Sequence, residues 1–238
     1  MEKRERIWEL DALRGFCILC VIFIHFMFDL VYFAALPITF HPVYLFIQNY
    51  GGVIFVVLSG LCATLSSRSF RRGLLVFICG MLITLVTWAM VKLGMAADDV
   101  IVRFGVLHLL GVCMMLYPLY KKLPTPALAL LGVCLVICGY TAVNTVVETH
   151  LLFPFGFVYP GFSSGDYFPL LPHLGWFMLG SVLGRTLYRE KKTLLPGKAK
   201  DFFLIRFFRF CGRQSLWIFL LHQPVVYGLL ELVLLFKK

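Results

Sequence analysis

The sequence predicts an all-α fold: a polytopic membrane helix bundle of about seven transmembrane helices in a single domain over residues 1–238. Three observations carry this. Of the 238 residues, 61% are apolar and only 14% charged, whereas a soluble domain has about 45–50% and roughly 25%. The apolar excess is gathered in blocks of about twenty residues, the length a helix needs to cross a hydrocarbon core of roughly 30 Å. The basic residues lie between those blocks, so the net charge of +10 reads as membrane topology and excludes a nucleic-acid-binding stripe.

The blocks run over residues 12–34, 43–65, 73–94, 101–120, 126–147, 167–188 and 213–235. The first follows "MEKRERIWELDALRG", whose acidic residues, with the length of the apolar run after it, argue against a cleaved signal peptide. The second carries "GGVIFVVLSG", small residues that let helices approach closely. The third follows the basic turn "SSRSFRRG", and the fourth holds "RFGVLHLLG". After the fifth comes "ETHLLFPFGFVYPGFSSGD", rich in Pro, Gly and aromatics and free of Lys and Arg. It is expected either to fold back as a lid or cavity lining or to form an ordinary interfacial loop. The sixth block contains Gly180 and Gly184 in GxxxG spacing, read as packing. In the seventh, Pro224 cannot donate to the Leu220 carbonyl, which leaves a free acceptor close to His222 and Gln223.

Counting Lys and Arg on alternate sides gives eighteen against four. The positive-inside rule then places the N-terminus in the cytoplasm and the C-terminus outside. The eight cysteines lie in or beside apolar blocks and read as small hydrophobes. No metal is expected, since the histidines show no metal-ligand spacing.

Ionisable residues inside spans are the candidates for chemistry. Arg14 and His25 are eleven residues apart, which on a helix leaves them about 20° apart, and Asp29 adds roughly 40°. These three form one polar stripe running inward from the cytoplasmic mouth, and it should face the bundle interior or a wet cavity. His108, His173 and His222 lie at mid-to-outer depth. Asp166 falls on the His173 face if Pro169 and Pro172 leave that helix regular. His41 and His150 sit in or near outer loops and read as ordinary. The inner arginines Arg14, Arg68, Arg71, Arg72, Arg185 and Arg213 suit two roles: fixing topology against anionic headgroups, or binding a phosphorylated ligand.

Five segments carry a resemblance: "RIWELDALRGFCILCVIFIHFMFDL", "FVVLSG", "RFGVLHLLG", "DYFPLLPHLGWFMLGSVLGR" and "GRQSLWIFLLHQPV". In this order they resemble the bacterial branch of the heparan-α-glucosaminide N-acetyltransferase catalytic-domain family, over essentially the whole chain. The Arg14-x10-His25 spacing is also similar to the signature of the acyltransferase-3 family. The resemblance implies transmembrane acyl transfer. Acetyl-CoA or another acyl-CoA would bind from the cytoplasmic side, its phosphates near the inner arginines. The acyl group would pass to a hydroxyl or amine of an extracytoplasmic acceptor, a sugar or other glycan.

The acyltransferase-3 signature carries the catalytic role onto His25, with Arg14 as its partner. The lysosomal enzyme's catalytic histidine comes later, just before the second span, where His41 is nearest. The choice between His25 and His41 stays open at this point. Imidazole can serve as base or acyl carrier at neutral pH, and Asp29 would orient it. His41, His108, Asp166, His173, His222 and Gln223 are further catalytic or acceptor-site candidates. The expected surroundings are a lipid bilayer, the bacterial cytoplasmic membrane, and a homodimer is compatible with the sequence. The alternative is a proton-coupled or small-solute secondary transporter, which internal repeats would have favoured and none are seen.

Overall fold

The computed structural model describes residues 6–32, 39–143, 145–195 and 197–236. Among these the chain forms eight α-helices: α1 (Trp8–Tyr32), α2 (Pro42–Thr64), α3 (Ser69–Lys92), α4 (Val106–Tyr120), α5 (Thr125–Ala142), α6 (Leu170–Leu187), α7 (Phe203–Arg213) and α8 (Ser215–Leu235). It is a helical membrane bundle. Four segments, Trp8–Val31, Pro42–Thr64, Ser69–Lys92 and Thr125–Ala142, are long and apolar enough to cross a membrane, and Val106–Tyr120 and Ser215–Leu229 are shorter apolar helices. The seven expected blocks correspond to α1–α6 and α8. Lys3, Arg4, Lys237 and Lys238, which entered the charge count, lie outside the described residues.

Two compact units divide the chain: residues 1–55 with 190–238, and residues 56–189. In the first unit α1 packs along α7 and α8. Helix α7 lies in the basic stretch between the sixth and seventh expected blocks. Its Arg206, Arg209 and Arg213 fall within an arc of about 60°, so the remaining positions offer an apolar surface. That surface meets α1 through glycines: a Cβ at Gly15 would run into the Phe208 carbonyl, and one at Gly212 into the Asp11 carbonyl. Phe16 and Phe208 meet edge to face at 5.8 Å. The Glu9 carboxylate accepts Thr193 Oγ1 at 2.7 Å and the Leu194 amide at 2.8 Å, tying the stretch before α7 to the start of α1.

In the second unit α3 packs on α4, and α5 on α6. The end of α2 meets α6 through small residues. A Cβ at Gly60 would fall inside the Phe177 carbonyl, and one at Gly180 inside the Val57 carbonyl. Ser181, fully buried, donates to the Gly60 carbonyl at 3.1 Å. The packing role expected of Gly180 and Gly184 is the one found.

The loop between α5 and α6 folds back. Gly165 N donates to the Ile101 carbonyl at 3.1 Å, and Phe168 N to the Phe104 carbonyl at 2.9 Å. Arg103 Nε donates to the Ser163 carbonyl at 2.9 Å. Phe162 lies between Tyr159 and Tyr167, at ring separations of 5.2 and 4.8 Å. These ties hold residues 101–105 extended, so α4 begins at Val106, five residues later than the expected block.

Candidate active site

The polar stripe of α1 exists, and α8 closes it. Arg14 Nη2 donates to Ser215 Oγ at 3.0 Å, while its buried Nε has no partner among the described residues. Further along, the His25 ring lies 5.0 Å from that of His222 with the planes at 82°. Phe219 completes this contact, 6.5 Å from His25 and 5.3 Å from His222. One turn beyond His25, Asp29 is fully buried, and Gln223 Nε2 donates to both its oxygens at 2.9 and 3.1 Å. The partners occur in the same order on both helices, so α8 runs parallel to α1.

The hydrogen bonds assign the imidazole tautomers. His25 Nδ1 lies 3.0 Å from the Val21 carbonyl, and His222 Nδ1 lies 2.6 Å from the Phe219 carbonyl. A carbonyl can only accept, so each Nδ1 carries a proton and each neutral ring keeps a lone pair at Nε2. Asp29 is thus held by Gln223, and His25 is oriented by the Val21 carbonyl. The Asp29 carboxyl group lies one turn beyond His25 on the same helix.

His41 caps α2: its exposed ring accepts the Val43 amide through Nδ1 at 3.2 Å. Arg213 Nε is paired with Asp11 at 3.3 Å.

In the second unit His108 and Asp166 gather at the start of α4. The Gly105 amide donates to His108 Nδ1 at 3.2 Å, so Nε2 bears the proton and points to Thr84 Oγ1 at 3.2 Å. That hydroxyl in turn donates to the Val102 carbonyl at 2.6 Å. Asp166 Oδ2 accepts the Val106 amide at 2.9 Å. A helix start leaves its first amides without partners, and these two side chains supply acceptors there. The face shared by Asp166 and His173 is not realised. Helix α6 starts only at Leu170, and Leu171 has non-helical angles of φ −101° and ψ 131°. His173 Nδ1 instead meets the Pro169 carbonyl at 2.8 Å.

Arg185 donates to the Lys121 and Leu123 carbonyls at 2.8 and 2.6 Å, closing the link between α4 and α5. Arg72 reaches Ser66 Oγ at 3.5 Å. Arg68, Arg71 and Lys121 line a cavity of about 300 Å³ with Ser66, Ser67 and Ser69, a setting able to receive phosphate oxygens.

The family model described as heparan-alpha-glucosaminide N-acetyltransferase, catalytic, matches residues 6–224. The chain belongs to this family. No curated protein and no solved structure matches it. Membership in the heparan-α-glucosaminide N-acetyltransferase catalytic family makes the chain an integral-membrane acetyltransferase.

The α1–α8 cluster gathers the polar groups of the first unit's helix pair. It holds two imidazoles, each with Nδ1 on a backbone carbonyl, and a buried carboxyl group. Sequence reading named Arg14, His25, Asp29, His222 and Gln223. It missed Ser215, the partner of Arg14, and Phe219. An Oγ at the first position of a span was the available signal for Ser215.

Proposed function

We propose that the protein transfers the acetyl group of acetyl-CoA, bound from the cytoplasmic side, to a hydroxyl or amine of an extracytoplasmic sugar acceptor, with His25 as the base. The supporting observation is the Val21 carbonyl at His25 Nδ1, which leaves Nε2 unprotonated within the polar cluster. His25 Nε2 takes the acceptor's proton as its oxygen or nitrogen attacks the thioester carbonyl carbon. The carbon–sulfur bond then breaks, and the leaving CoA thiolate takes the proton from the imidazolium. Asp29 stabilises the imidazolium through its charge. Arg14, at the cytoplasmic end of the stripe, receives CoA phosphates. The placement is the cytoplasmic membrane of a bacterium.

The test gives purified protein acetyl-CoA with a panel of amino sugars and follows release of free CoA. His25→Ala, folded like wild type, should lose about a hundredfold to ten-thousandfold in rate, while His41→Ala keeps its rate because His41 caps α2. Undiminished release by His25→Ala removes His25 as the base. Wild-type protein that neither binds acetyl-CoA nor releases CoA overturns the donor assignment.

A further inference from the structure

Two of the polar groups facing α1 from α8 end in acceptors without donors among the described residues. His222 is only 8% exposed, and its Nε2, a lone pair by the tautomer above, has no partner among the described residues. The adjacent Gln223 has its amide nitrogen on Asp29, and its buried Oε1 also has no partner there. Both side chains are turned towards α1, His222 by the His25 ring and Gln223 by Asp29. A buried acceptor left unpaired carries a desolvation penalty, so such atoms mark where a donor belongs. With Asp29 beside them, this corner is built for hydrogen-bond donors and against anions.

We infer that His222 Nε2 and Gln223 Oε1 form the acceptor subsite, which binds a neutral or cationic molecule bearing at least two hydrogen-bond donors, a polyol or amino sugar. This rests on the acetyl-transfer reading for its role, but not for its chemistry. It also divides labour between the two histidines. Two imidazolium ions with rings 5.0 Å apart would repel strongly in an apolar interior. When His25 takes the proton, His222 therefore stays neutral and keeps its grip on the acceptor. His222 binds, and His25 moves the proton.

Calorimetry on the purified protein without acetyl-CoA supplies a readout independent of turnover, with glucosamine, sorbitol and permethylated sorbitol as probes. Wild type should bind the first two and reject the third, which has the same skeleton without donors. His222→Phe keeps the ring shape and loses the acceptor, so binding should weaken about ten- to a hundredfold. His222→Gln, which returns an acceptor at similar reach, should recover most of it. In turnover the same variants should move KM for the acceptor and leave KM for acetyl-CoA in place. Unchanged binding by His222→Phe, failure of His222→Gln to recover it, equal binding of permethylated sorbitol, or no binding of any probe overturns the subsite. If the probes bind as expected but CoA is never released, the subsite stands and the transfer reading falls.

Discussion

The same substitution at two points of α2 should act with opposite sign. At Gly60 an added Cβ lands inside the Phe177 carbonyl, 2.8 Å from its carbon and 3.1 Å from the Phe177 Cα. All three atoms are backbone, so no side chain can rotate away and α6 itself must shift. Overpacking of this kind costs about 1–3 kcal/mol. The shift also stretches the Ser181–Gly60 bond of 3.1 Å, whose loss is worth about 1 kcal/mol. Against this stands the helix-propensity gain of Ala over Gly, about 1 kcal/mol. At Gly51 the added Cβ meets only Ile47 Cγ2 at 3.5 Å, an ordinary contact, so the propensity gain remains. Gly60→Ala should therefore lower the thermal unfolding midpoint in detergent, and Gly51→Ala should hold or raise it, with about 2–4 kcal/mol between them. A Gly60→Ala protein as stable as Gly51→Ala would refute the close α2–α6 crossing.

Gln223→Leu removes the donor to both oxygens of the buried Asp29 and should cost about 1–3 kcal/mol in denaturant unfolding. The Asp29→Leu, Gln223→Leu double variant should recover most of that, since a buried hydrogen-bonded pair replaced by apolar groups is near neutral; strict additivity of the single costs would show that the two do not interact. Asp166→Ala takes the acceptor from the Val106 amide, so about 1 kcal/mol should be lost and limited proteolysis between α5 and α6 should quicken. His108→Phe should lower the unfolding midpoint through the Gly105 amide and leave CoA release by the folded protein intact. Loss of release with the fold retained would move His108 from helix cap to active site.

The helices could be read from the sequence because a span must be apolar for about twenty residues, and no packing detail changes that. Helix α7 was hidden because its arginines were counted with nine basic residues of one loop, where the i, i+3, i+7 spacing of Arg206, Arg209 and Arg213 carries the signal. The α1 stripe was legible from helical geometry alone, since it needs only one helix. What lay beyond the sequence was which groups answer it. Gln223, not His25, holds Asp29, and that depends on the register between two helices nearly two hundred residues apart in the chain. Asp166 and His173 share a face only on a regular helix, which the extended Leu171 breaks.

Depth in the membrane makes His25, His108, His173 and His222 all candidates, with His25 foremost through its Asp29 neighbour, and hydrogen bonding separates the others. His108 has both ring nitrogens answered, one by a backbone amide and the other by Thr84. A histidine so satisfied is fixed in one tautomer and has no lone pair left for a substrate. His222 has one nitrogen on a carbonyl and the other buried without a donor among the described residues. The local helix could have met that nitrogen cheaply by an apolar side chain of the same shape, since an unpaired buried acceptor only destabilises the fold. Retaining the acceptor there makes sense if something outside the chain donates to it, and the residue beside it, Gln223, presents a second unpaired acceptor on the same approach to α1. The functional distinction among the four histidines thus lies in which hydrogen bonds are left open.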